Sequence, residues 1–89
     1  MKRYIKASTD VQSYGDVEIK SDFLDWTDED LLDFITRAAQ EAEPSASITL
    51  TAPGTEILSI CITCPASEVG RVQAAIDMCD AVHGVHWHD

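Results

Sequence analysis

Basic residues are scarce in this 89-residue chain: 6 Lys and Arg stand against 16 Asp and Glu, for a formal net charge of −10. Proteins that hold nucleic acid or anionic membranes do so by clustering Lys and Arg over phosphate groups, so neither is expected as a direct partner. Long apolar runs are also missing, and no stretch approaches the roughly 18 to 20 apolar residues that a membrane helix needs. The basic start, Met1-Lys2-Arg3-Tyr4-Ile5-Lys6, has no apolar segment behind it and does not read as a secretory signal, so a cytoplasmic location is expected. Cysteine is sparse and odd in number. Three thiols cannot all pair within one chain, and they are read as reduced. There is no nucleophile elbow, no phosphate-cradling glycine loop and no His-Glu-x-x-His, so the chain is not expected to be an enzyme and no cofactor is implied.

What is present is unevenly distributed charge. Residues 1–20 hold four bases and three acids, a net of +1, whereas residues 21–89 hold only Arg37 and Arg71 against thirteen acids, a net of −11. The folded body is therefore strongly acidic, and a protein with a basic surface is the compatible partner. The length suits a single domain with one core.

Hydrophobic periodicity changes along the chain from two to about 3.6 and back, in an order that reads strand, helix, hairpin, helix, strand. Tyr14-Gly15-Asp16 has the composition of a turn, so residues 1–15 are read as an N-terminal arm, with residues 3–8 offering an extra edge strand. Residues 16–89 form the domain. Val17, Ile19 and Phe23 alternate with polar residues as a first strand. Thr27 then caps a helix with Asp30 in the capping-box position, and Leu31, Phe34, Ile35, Ala38 and Ala42 supply its apolar stripe before Pro44. Ile48 and Leu50 form one arm of a hairpin, and Leu58, Ile60 and Ile62 form the other. Keeping these side chains on one face requires an odd-length loop such as Pro53-Gly54-Thr55, or a bulge, with Leu50 opposite Leu58 and Ile48 opposite Ile60. Ser67 reads as the cap of a second helix with Val69, Val72, Ala75, Ile76, Cys79 and Val82 inward. Gly84 suits its C-terminal end, and Val85 and Trp87 point inward from a last strand.

This order resembles the ferredoxin-like βαββαβ superfold, an α+β two-layer sandwich. The resemblance implies an antiparallel sheet in the order 4-1-3-2 with both helices on one face. The other face is left bare, carrying Glu18, Lys20, Thr49, Thr51, Ile57, Ser59, Cys61, Thr63, His86 and His88. Central aromatics and bases, which such a face needs for reading RNA, are absent from that set.

Three groups of residues are chemically conspicuous. Asp22, Asp25, Asp28, Glu29, Asp30 and Asp33 place six carboxylates in twelve residues with no base among them. They read either as favourable charges at a helix N-terminus or as an anionic ridge able to occupy a basic groove in place of nucleic-acid phosphate. Trp26 lies among them, either as a hydrophobic staple against Leu31 or as an exposed aromatic anchor. His86 and His88 project the same way from a strand and are the weak metal candidates, with Cys61 or Glu18 as a third ligand; a specific metal site is not expected. Cys61 and Cys64 match CxxC in spacing only, because residues three apart on a strand face opposite ways. The expectation is an acidic, non-enzymatic protein-binding module, an inhibitor in the style of small acidic phage and mobile-element anti-defence proteins, with Asp22, Asp25, Trp26, Asp28, Glu29, Asp30 and Asp33 meeting the partner. The alternative is a small-ligand or metal sensor that uses the bare sheet face, as a homodimer.

Overall fold

The computed structural model describes residues 9–54 and 56–88. Its elements are β1 (Asp10–Ile19), α1 (Asp28–Ala42), β2 (Ser47–Ala52), β3 (Ile57–Pro65), α2 (Val69–Asp77) and β4 (Val82–His88), with single 3₁₀ turns at Ser21–Phe23 and Ala66–Glu68. The four strands form one antiparallel sheet in the order β2-β3-β1-β4, which is the expected order read from the other edge. This is an α+β architecture consistent with a ferredoxin-like sandwich. Both helices pack on one side of the sheet: Leu31, Ile35 and Ala39 from α1 and Val72 and Ile76 from α2 join Val17, Ile48, Leu58, Ile60, Ile62 and Val82 in a single core. Among the described residues no polar or charged residue is buried with them. Among the same residues no helix is long and apolar enough to cross a membrane.

Local chemistry explains where most elements begin. Thr27 is extended, and its Oγ1 accepts a hydrogen bond from the Asp30 N–H at 3.1 Å, so a donor with no partner inside the helix is satisfied. Asp28, Glu29 and Asp30 occupy the first turn, where the helix dipole favours carboxylates. At the other end the Glu43 N–H bonds the Ala39 carbonyl, and Pro44 prevents continuation.

Four sequence expectations need correction. First, β1 begins at Asp10, so residues 10–15 belong to the sheet and not to an arm; residues 1–8 lie outside the described residues, as does the extra edge strand considered for 3–8. Gly15 is not a turn residue. It sits opposite Trp87, and a Cβ there would come within 2.6 Å of the Trp87 ring, so glycine is required by close approach within a strand. Second, Phe23 lies in a 3₁₀ turn beyond β1, not in the strand. Third, the hairpin register differs: Leu50 faces Ile60 and Ile48 faces Ile62, with a bulge between Leu50 and Ala52. A bulge is one of the two expected devices. The shift of two residues in register keeps every side chain on its intended face, because side chains repeat with period two. Fourth, α2 starts after a 3₁₀ turn with Glu68 at its cap and no side-chain capping bond; Ser67 instead donates to the Glu68 carboxylate at 3.3 Å. That helix ends at Asp77, so Val82 opens β4 and Gly84 sits inside the strand opposite Glu18, without a left-handed conformation.

Candidate functional site

The 3₁₀ turn and the start of α1 turn the acidic segment into a defined surface. Trp26 is 39 % exposed. Its ring does not lie free: it packs at 5.0 Å from Phe23 and 5.5 Å from Phe34, and those two rings stack at 5.9 Å. Trp26 also lines a hollow with Leu31, the residue of the expected staple, and with Phe23 and Phe34 it forms an aromatic triad, so it is both a packed and an exposed residue. Beside it lies a groove of about 520 Å³ lined by Asp25, Trp26, Thr27, Asp30, Asp33, Phe34 and Arg37.

The fold therefore brings together Asp25, Trp26, Asp30 and Asp33 from the residues singled out in the sequence. Asp28 lines a neighbouring hollow with Leu24, Leu31, Pro53 and Gly54, while Asp22 and Glu29 are exposed and line neither. Asp33 pairs with Arg37 at 3.1 Å across one helical turn, the pair that their spacing suggests. Both side chains are largely exposed, so the pair is weak. Sequence reasoning misses Phe34 as a member of this surface, because the apolar stripe assigns it to the core. A signal is available: α1 carries two rows at intervals of four, Leu31–Ile35–Ala39 and Phe34–Ala38–Ala42, and only the first is fully buried. The second row forms the margin of the helix contact.

The bare sheet face holds different chemistry. Because β1 is longer than expected, it contributes Tyr14 and Asp16, while Lys20 falls beyond its end. Asp16 accepts from the Ser59 hydroxyl at 2.7 Å and contacts His88 Nε2 at 3.0 Å; the Ser59 hydrogen bond, then that of His88, holds its carboxyl below the ordinary range. Ser59 and His88 each meet Asp16 and not one another, so the three residues lack the nucleophile-to-base contact that hydroxyl activation requires. Glu18 faces His83 at 3.9 Å, and the His86 and His88 rings meet edge to face at 5.1 Å. Among the described residues no group of three His, Cys, Asp or Glu side chains is arranged to hold a metal, and neither Cys61 nor Glu18 completes a set with His86 and His88; Asp89 lies outside the described residues.

Cys61 is only 5 % exposed although it belongs to the bare face, with Tyr14 and Thr49 as its cross-strand neighbours. Hydrogen bonding to Cys61, and repulsion by its thiolate, raise the Tyr14 phenol above its ordinary range. Cys64 points into the core, and burial pushes both its thiol and that of Cys79 upward. All three cysteines are free, and Cys61 and Cys64 lie on opposite sides of the sheet.

Compared with known proteins, the chain matches no family model, no curated protein and no solved structure.

Proposed function

We propose that this chain is a small, acidic, non-enzymatic module that binds a basic surface of another protein through the Trp26 groove. The partner surface is one that otherwise handles nucleic acid, so the module acts as an inhibitor by occupying it, in the manner of anti-defence proteins of phages and mobile elements. The observation that carries this reading is the half-exposed Trp26, held by Phe23 and Phe34 at the side of a groove whose rim bears Asp25, Asp30 and Asp33. A rigid aromatic that leaves water on binding supplies affinity, and surrounding carboxylates supply steering and choice of partner. The ferredoxin-like sandwich serves as scaffold, and among the described residues its bare face carries no Lys or Arg of the kind that nucleic acid itself would need. This reading takes the cytoplasm as the compartment of the encounter, and three free thiols are compatible with its reducing conditions.

The test is retention of basic proteins from a lysate by the immobilised chain, washed with rising salt. Steered binding through exposed charge weakens as the Debye length shrinks. The variant Asp25→Lys/Asp30→Lys/Asp33→Lys should release what the wild type retains, with unchanged circular dichroism, and added oligonucleotide should compete for the same partner. Equal retention by the variant would sink the reading.

A second reading, a ligand-sensing homodimer, rests on the exposed Ile57 and Tyr14 of the bare face. A monomer by light scattering at high concentration removes it.

A further inference from the structure

The Trp26 groove does not end at Phe34. A second groove, of about 620 Å³, shares Phe34 and Arg37 with the first and continues along α1 past Ala38 and Ala42 to Ala75 and Met78 at the end of α2. The two form one trough. Its floor is the Phe34–Ala38–Ala42 row, which the core leaves at its margin, and its far wall ends in Met78, 82 % exposed. Among the described residues Met78 is not one of those that join or pack against the core, and a flexible, polarisable side chain suits a surface that moulds itself to an apolar partner. The near wall is the charged row Asp33–Arg37–Glu41. Arg37 is the one base against Asp25, Asp30, Asp33, Glu41 and Asp80 in the lining, so the rim is anionic: Arg37 pairs with Asp33, and among the described residues the other four acids form no ion pair.

From this geometry, and resting on the partner-binding reading above, we propose that the trough takes a basic amphipathic α-helix. The conformation is dictated by where the trough lies. It is lined by α1, the segment before it and the end of α2, and no strand residue lines it, so an extended segment lying in it would find no strand to pair with and would leave its backbone groups without partners in the contact. A helix brings its own backbone hydrogen bonds. The length agrees too: α1 has 15 residues, about 22 Å at 1.5 Å per residue, which matches four turns of a partner helix. Alanines at 38, 42 and 75 leave room for that helix to approach. The occupant thus needs apolar residues at i, i+4 and i+7 or i+8 against the floor, with Lys or Arg flanking them to meet the rim. A second copy of this chain would bring another −10 of charge to the same rim and is disfavoured.

The experiment titrates the intact protein against a fluorescent, C-terminally amidated peptide of about 16 residues, built from Leu, Ala and Lys in an amphipathic order, and against its scrambled counterpart of identical composition. Fluorescence anisotropy gives the affinity, and circular dichroism of the mixture reports induced helix. The amphipathic peptide should bind at least about tenfold more tightly than the scrambled one and gain helicity on binding. Met78→Gln, a near-isosteric change at an exposed position, should weaken it about tenfold, since one apolar contact is lost. Asp30→Asn/Glu41→Gln should flatten the salt dependence. Equal affinity for the two peptides overturns the helical occupant but leaves the basic-surface reading standing on its own salt-wash test. Absence of binding to either peptide, or tight binding indifferent to Met78→Gln, overturns the proposal. Self-association that excludes the peptide assigns the trough to a second copy, and overturns it as well.

Discussion

The two faces of the sheet are built from the same strands, alternate residue by alternate residue, and they solve opposite problems. The covered face carries Val17, Ile48, Leu58, Ile60 and Ile62 and, among the described residues, buries no polar or charged residue and only one unpartnered polar side-chain atom, Trp87 Nε1, so its stability comes from excluding water. On the bare face, the acid at its middle carries its own partners: Asp16 has Ser59 and His88, while Glu18 stands 3.9 Å from His83, beyond hydrogen-bond reach. A charge already satisfied within the chain has little to offer another molecule. The trough along α1 differs from both faces, being apolar in its floor but exposed, and charged at a rim where, among the described residues, Asp33 pairs with Arg37 while Asp25, Asp30, Glu41 and Asp80 form no ion pair. That contrast favours the helix layer over the bare sheet as the proposed binding surface.

Leu58 and Ser59 are neighbours in β3 that point to opposite faces, and they give the sharpest separation. Leu58→Ala should cost about 2–5 kcal/mol through lost contacts and a residual cavity, a large part of the roughly 5–15 kcal/mol that holds a small domain together. Ser59→Ala should cost far less. Equal shifts in the urea midpoint would mean that the bare face is not solvent-facing in the native protein.

Gly15→Ala comes next. Its Cβ would meet two Trp87 ring carbons at 2.6 and 2.8 Å and Val85 at 3.1 Å, an overpacking cost of about 1–3 kcal/mol. Trp87→Leu in the same background should recover part of that loss in denaturant melts. If Gly15→Ala alone is neutral, the strand tolerates a side chain there and the close approach is not what selects glycine.

Removing the Tyr14 ring tests the bare face by its reactivity. Cys61 is shielded although no helix covers it, so Tyr14→Ala should open one thiol per chain to a disulfide reagent at neutral pH. Cys64 and Cys79, raised and buried on the other side, should stay slow. Unchanged labelling would show that Tyr14 is not the cover.

The smallest effect is expected from Asp16→Asn. Asp16 titrates lower in the folded chain than in the unfolded one, so its ionised form adds stability above the ordinary carboxylate range, and that contribution is lost as pH falls through the folded value. The variant should therefore show a shallower loss of stability on acidification below about pH 4. An identical acid limb would mean that the Ser59 and His88 contacts do not favour the carboxylate in solution.

The architecture is legible in the sequence wherever a run of alternation or a helical stripe is long enough to outweigh single residues: α1, its Thr27 cap, the hairpin faces and the strand order all stand as expected. It is illegible where one residue has two meanings. Gly15 reads as a turn until Trp87, distant in sequence, is seen to lie against it, and the start of β1 is lost with it. Gly84 reads as a helix end, but α2 stops at Asp77, and a short link leads from there into β4, closed by the Val82 N–H on the Cys79 carbonyl at 2.9 Å. In the site, the acids and Trp26 are visible by composition. Phe34 and Met78 are not, because a helical stripe does not show which of its rows a second helix will cover.

The place of β1 in the sheet has a consequence for how the chain is made. Its two neighbours are β3 and β4, so the pair Gly15–Trp87 joins residues near opposite ends of the sequence. During synthesis β1 emerges before either of its neighbours, so it waits for β3 to gain one edge and for β4 to gain the other. Until then α1 and the β2–β3 hairpin are the units that can form from nearby sequence. A nascent chain arrested before Val82 should therefore expose the apolar side of β1 to chaperones, and the emergence and pairing of β4 should be the event that ends that exposure.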